Sequence, residues 1–170
     1  MVGSPNPASL FPVAGARFYV STLPFPEQSA DVTISSFSSV TWIEVLKWTQ
    51  MGGYGDTSQL ITADLIGEGR TKKLKGTKNA GSMANVFALD NSNTGQQKLV
   101  EASKAPDNYA FKIELTDKGT GVGATNSLRE FYGLVMSAQE AGGGANTVQT
   151  LNCTIEINSN IATQAATLGT

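Results

Sequence analysis

Strict alternation of apolar and polar side chains is the feature that most limits the folds open to this chain. In residues 109–116, Tyr, Phe, Ile and Leu occupy the odd positions, and Ala, Lys, Glu and Thr occupy the even ones. Successive side chains of a strand point to opposite faces, so this pattern predicts an antiparallel strand with one buried and one wet face. Residues 147–158 repeat it, with Leu151, Cys153, Ile155 and Ile157 on the face expected to pack inward.

The rest of the chain is also rich in strand patterns. Strand candidates are residues 17–23, 40–48, 59–66, 82–89, 109–116, 128–137 and 147–158. A single helix is predicted at 93–104, because Thr94 and Gln97 have the spacing of a capping box and Pro106 prevents continuation. A lone short helix persists only against a sheet. We therefore predict a mainly β protein with one flanking α-helix.

Composition excludes several classes of function. Among 170 residues there are no histidines and one cysteine. Nucleophilic triads that use imidazole as the base are excluded, as is a zinc site built from the usual Cys and His ligands. Gly-rich stretches at 76–78 and 119–123 lack the spacing of a phosphate-binding loop. We expect no enzyme, no metal site and no cofactor.

The two ends differ in composition from the region between them. Residues 1–16 contain three prolines, and Phe11 gives this segment an apolar group with which to dock. Residues 159–170 are small and polar. We expect extended terminal arms at 1–16 and 159–170 around a β domain at 17–158, although frayed ends would have the same composition. No stretch approaches the roughly 20 apolar residues of a membrane span, and the first residues lack a secretory signal, so we expect a soluble product.

Charge is strongly segregated along the chain. Charged residues make up only 15% of it, and five of the 12 basic residues lie at 70–78, which leaves 7 basic against 14 acidic residues elsewhere, or −7. The basic residues are Arg70, Lys72, Lys73, Lys75 and Lys78. In an otherwise acidic chain they favour self-association over a nucleic-acid patch, and a plain solvated hairpin is a further alternative.

The order of several short motifs resembles the tail tube proteins of long-tailed bacteriophages, especially siphophages. The resemblance spans about residues 38–158 and rests on GGYGD (52–56), GEGR (67–70), KLKG (73–76), NAGSM (79–83), TGQQ (94–97) and CTIEINS (153–159). It implies two packed antiparallel sheets, as in a β-sandwich, with one flanking helix and a long loop. It also implies hexameric rings that stack into a tube through which DNA is ejected.

The resemblance further implies where such a subunit would make contacts. The long loop and the arms would join rings, and the predicted contact residues are Phe11, Tyr54, Asp56, Glu68, Arg70, Lys72, Lys73 and Lys75. The polar face of the last strand would line the lumen, through Thr150, Asn152, Thr154 and Glu156. DNA would pass without specific binding, because Lys and Arg contacts would hold its phosphates.

The expected partners are further copies of the chain, a tape measure protein, a tail terminator, and distal tail or baseplate proteins, with no membrane. The expected location is the virion tail, with the host cytoplasm during assembly. The alternative function is a soluble β-sandwich binding module, which would bind nucleic acid through residues 70–78.

Overall fold

A computed structural model describes residues 10–170 and is built almost entirely of β-strands. The strands are β1 (Arg17–Pro24), β2 (Trp42–Val45), β3 (Trp48–Gln50), β4 (Thr57–Ala63), β5 (Lys72–Asn79), β6 (Ser82–Ala88), β7 (Tyr109–Glu114), β8 (Leu128–Ala141), β9 (Thr150–Ile157) and β10 (Ala162–Gln164). Helix α1 spans Thr94–Ala102, and a short 3-10 turn spans Ile34–Phe37. The predicted mainly β fold with one α-helix is confirmed in this part of the chain.

Eight of the strands form one antiparallel sheet that folds into two layers. Its order is β2-β1-β7-β8-β9-β6-β3, and β10 also pairs with β8. β1 and β6 lie four positions apart, about 19 Å in a flat sheet, yet the rings of Phe18 and Phe87 are 5.9 Å apart. We call β2, β1, β7 and residues 128–133 of β8 the β1 layer, and β3, β6, β9 and the rest of β8 the β9 layer. The predicted packed sheets are therefore two layers of one continuous sheet.

The core between the layers follows the alternation in the sequence. Phe18, Phe87, Phe111, Phe131 and Ile155 are each fully buried there. The ring of Phe111 lies 5.8 Å from that of Phe18 and 5.6 Å from that of Phe131, which joins three strands of the β1 layer. In β9 every second residue is buried, as predicted.

Helix α1 begins one residue earlier than the capping-box prediction assumed. Asn93, not Thr94, is the N-cap, and its Oδ1 accepts a hydrogen bond from Gln96 N at 2.9 Å. The buried Gln96 side chain then donates to the backbone carbonyls of Leu46 and Ala88. The short Asn side chain fits the cap because it reaches a backbone N–H three residues ahead.

The C-terminal segment, predicted as an arm from residue 159, lies along its own chain in this structure. β10 pairs with the start of β8, and Thr125 forms an isolated antiparallel bridge with Thr167. The N-terminal residues 1–9 lie outside the described part of the chain. The division into arms and domain stays a prediction.

The region 57–79 is a β-hairpin. β4 and β5 pair only with each other and form a separate two-stranded sheet. The five basic residues at 70–78 therefore lie on and just before a strand, where the prediction had a loop, and the hairpin alternative describes their local structure correctly. We call residues 57–79 the hairpin.

Candidate assembly surfaces

The outward side of the β9 layer is polar and almost without charge. Strand register places one residue of β3 and alternate residues of β6, β8 and β9 on this side: Gln50; Ser82, Ala84, Val86, Ala88; Leu134, Ser137, Gln139, Ala141; and Thr150, Asn152, Thr154, Glu156. We call this set the polar face. Glu156 is its one charged member.

The four predicted lumen residues lie together at the centre of the polar face. Thr150, Asn152, Thr154 and Glu156 are partly exposed, while the residues between them are buried. Glu156 lies opposite Ser82 of β6 and Leu134 of β8, so no cation neighbours it directly in the sheet. The structure brings these residues together on one side of β9, and the lumen itself stays a prediction.

The outward side of the β1 layer has the opposite character. It carries charged and aromatic residues, namely Arg17, Tyr19, Trp42, Glu44, Lys112 and Glu114, while Glu130 and Tyr132 on the same side are buried, Tyr132 in a second apolar cluster with Val32 and Phe37. The Lys112 ammonium lies 4.4 Å from the Tyr19 ring centroid and 4.8 Å from that of Trp42. Burial lowers the pKa of Lys112. The two outward sides of the protein thus differ sharply in charge.

Glu130 is a buried carboxyl group that sequence analysis missed. It is only 4% exposed, and its Oε2 has no hydrogen-bond partner. Burial raises its pKa, and the charge of Lys112, directly opposite on β7, acts in the other direction. Its neighbours β7 and β10 are distant in sequence, so no local pattern around Glu130 indicates its burial.

The hairpin projects from the body with both of its faces exposed. In β4 only Ala63 is partly buried, and in β5 only Gly76 is. A Cβ at Gly76 would come 3.2 Å from two carbons of Ile61, so a larger residue there would displace that side chain slightly. Ile61 pairs with Leu74, and both are largely exposed. Lys73 and Lys75 lie on the opposite face, because alternate residues of a strand share a face.

The predicted contact residues divide between the hairpin and the body. Glu68 and Lys72 form an exposed ion pair at 2.8 Å within the hairpin, and Arg70 lies beside them in the turn. Tyr54 instead packs against the core, with its ring 6.4 Å from that of Phe131, and burial raises its pKa. The structure therefore gives Tyr54 a packing role, and its role in contacts between copies stays a prediction.

Asp56 lines a cleft at the base of the hairpin. The cleft has a volume of about 750 Å³ and lies between the hairpin, residues 28–31 and residues 157–160. Most of its lining is polar, with Asp31 and Lys78 also present.

Phe11 and its neighbours lie at the end of the β1 layer opposite the cleft, close to Thr116. Leu10, Phe11 and Val13 are all exposed. Their segment is tied to the body where Thr116 Oγ1 donates to the Pro12 carbonyl at 2.8 Å. Exposed apolar groups thus lie on a segment that is held to the body at Pro12.

Reactive groups are few in the described part of the chain. In residues 10–170 no three His, Cys, Asp or Glu side chains are grouped as metal ligands. The Cys153 thiol is buried, and its burial raises its pKa to about 12. No helix in the described part of the chain is long and apolar enough to cross a membrane.

Comparison with solved structures identifies the fold. The chain is similar to a protein of the anti-feeding prophage baseplate (TM-score 0.59, 16% identity, 92% of this chain and 97% of that one). It is also similar to the SPP1 tail tube protein (0.56, 10%, 91% and 81%) and to a protein of the anti-feeding prophage tube-terminating cap (0.57, 14%, 93% and 94%). The predicted resemblance to tail tube proteins is confirmed at the level of the fold.

Sequence comparisons add no family to this result. No family model matches the chain. A search of curated proteins gives no match either.

Proposed function

We propose that this protein is a structural subunit of a phage tail tube, assembled as stacked hexameric rings that conduct DNA. The observation that carries the proposal is the polar face, a broad sheet surface with one charged residue on a fold shared with tail tube, baseplate and cap proteins. A wall that meets DNA should not hold its phosphates, and Lys or Arg on such a wall would do so by counterion release.

In this proposal the polar face lines the lumen, and sixfold symmetry repeats Glu156 as a ring of six carboxylates. Their weak repulsion would keep a phosphate backbone away from the wall. The charged side of the β1 layer then faces outward. Both assignments rest on the contrast between the two faces.

The hairpin and the N-terminal segment would provide contacts between copies. Both expose apolar side chains that nothing in the described chain covers, such as Ile66 and Leu10. They leave the body at opposite ends of β7, because the cleft beside the hairpin includes Tyr132, which pairs with Ala110, whereas Pro12 contacts Thr116. Contacts at opposite ends suit a stack that extends in one direction.

The partners then follow from the position in a tail. We propose a tape measure protein inside the tube, and a terminator and distal tail or baseplate proteins at its ends. The protein would be located in the virion tail, and in the host cytoplasm during assembly. It would act as a structural protein and not as an enzyme.

Negative-stain electron microscopy of the purified full chain tests the proposal. We expect rings or tubes about 100 Å across, with sixfold symmetry in end views. A monodisperse preparation of single subunits over a range of salt and protein concentrations would contradict it.

A nucleic-acid binding module is the second candidate, because Lys73 and Lys75 lie on one exposed face of β5. That function predicts a gel shift of DNA that weakens steeply with salt. The tube function predicts no shift by assembled particles.

A further inference from the structure

The hairpin turn carries an apolar group that is unusually exposed. Ile66 is fully exposed and Leu65 about half exposed, in a turn closed by a hydrogen bond from Glu68 N to the Leu65 carbonyl. An isolated two-stranded hairpin is marginally stable in water. A hairpin with exposed apolar groups on both faces and at its turn is best explained by a surface of another molecule that covers it.

A small pocket elsewhere on the body has a matching character. Its volume is about 220 Å³, or the space of about seven waters. It lies between α1, the last residues of β8 and the first residues of β9. Leu89, Val100 and Leu151 provide apolar surface. Asp90 and Glu140 also line it and are its only charged lining residues.

Charge favours an encounter between the hairpin and this pocket. The hairpin contains five basic residues and two acidic ones, Asp64 and Glu68, so its net charge is 5 − 2 = +3. The remaining 147 residues carry 7 basic and 12 acidic groups, or −5. Arg70, next to the apolar turn, forms no ion pair in the described part of the chain, so its guanidinium is available to an acidic rim.

The hairpin and the pocket lie at opposite ends of β6. The hairpin ends at Asn79, three residues before Ser82 at the start of β6, whereas Leu89 and Asp90 of the pocket directly follow Ala88 at its end. Six residue steps along a strand separate these ends by about 20 Å. A donor and an acceptor that join the body at opposite ends of one strand suit a head-to-tail contact between copies, which repeats without limit or closes into a ring.

We propose that Ile66 at the hairpin turn of one copy inserts into this pocket, between α1, the end of β8 and the start of β9, on a second copy. Arg70 of the first copy then lies beside Asp90 and Glu140 of the second. This inference rests on the proposed self-assembly and names the surface that receives the hairpin. The partner is a second copy of this chain, because the chain itself supplies the apolar group, the complementary pocket and the opposite charges.

Cysteine cross-linking tests the contact directly, since the native Cys153 is buried and unreactive. Two differently tagged full-length variants, Ile66→Cys and Asn91→Cys, are mixed under conditions in which the wild type assembles, and then oxidised. We expect a disulfide-linked heterodimer carrying both tags. The control replaces the first variant with Val122→Cys, another highly exposed position in a different loop, and should give at least tenfold less product.

A charge reversal provides a second, independent measurement. Arg70→Glu should reduce the assembled fraction at least fivefold, and Glu140→Lys in the same chain should restore it. Wild-type tubes with no excess of the Ile66→Cys and Asn91→Cys product over the control would overturn the inference and leave the proposed function intact. Cross-linking in open, non-tubular oligomers would support this contact and contradict the tube.

Discussion

Asn93 joins the start of α1 to the end of β2. Its Oδ1 accepts hydrogen bonds from Gln96 N at 2.9 Å and from Leu46 N at 3.3 Å. One side chain therefore satisfies a helix donor and a donor in the neighbouring loop.

Replacing this residue should destabilise the domain. We expect Asn93→Ala to lower the free energy of unfolding by about 1–2 kcal/mol, since a helix cap is lost and Leu46 N loses its acceptor. Thr94→Ala, at the position that sequence patterns assigned to the cap, is the matched control and should change it by less than about 0.5 kcal/mol. Urea unfolding, monitored by circular dichroism, measures the free energy of unfolding of both variants. Equal effects of the two changes would contradict the assignment of the cap.

Charge reversal on the hairpin should block assembly without unfolding the body. Lys73→Glu with Lys75→Glu places two carboxylates on the exposed basic face of β5, where neither side chain packs against the core. We expect the β-sheet circular dichroism to be unchanged and tubes to be absent by microscopy. Lys104→Glu with Lys118→Glu makes the same change in net charge away from the hairpin and should leave assembly intact. Normal tube length in the hairpin variant would show that this face is not a contact.

Charge on the polar face should affect DNA passage and not assembly. Glu156→Lys should preserve tubes, because the side chain is partly exposed, but slow DNA ejection by making the wall adhesive to phosphate. Glu156→Gln removes the charge without reversing it and should eject DNA at nearly the wild-type rate. Ejection kinetics from purified particles distinguish the two. Rapid ejection from Glu156→Lys particles would show that charge at this position does not control passage.

The buried Glu130 should make stability depend on pH. Its pKa is raised above 4.5 in the folded state, mainly by burial. The protonated form therefore favours folding below about pH 4.5, and this contribution is lost as the pH rises through the folded pKa. We expect Glu130→Gln to raise the free energy of unfolding by about 1 kcal/mol at neutral pH, with a smaller gain near pH 4. A loss of stability at neutral pH would show that the attraction to Lys112 outweighs the cost of burial.

Local patterns predicted the strands that have one buried face, but of the two exposed strands of the hairpin they predicted only β4. β7 and β9 alternate because one side of each packs in the core, so their sequences carry the signal. β5 is exposed on both faces, and its run of lysines looks like a loop. β10 has only three residues, and its pairing with β8 is set by contacts distant in sequence.

At the candidate surfaces, too, local patterns indicate the residues of one strand but not the contacts between strands. The polar side of β9 was predictable as a set, because its residues alternate with buried ones. The continuation of that side across β3, β6 and β8 depends on strand register, and register includes a shift between Val135 and Ser137. The burial of Glu130 likewise depends on strands far apart in the chain.

The single shielded thiol has a chemical consequence for the whole particle. With a pKa of about 12 and little access to solvent, Cys153 is almost never a thiolate, which is the form that oxidises or exchanges. No other residue of the chain can form a disulfide. An assembly of these subunits would therefore form no disulfides and exchange no thiols, either in a reducing cell interior or in aerated water outside it.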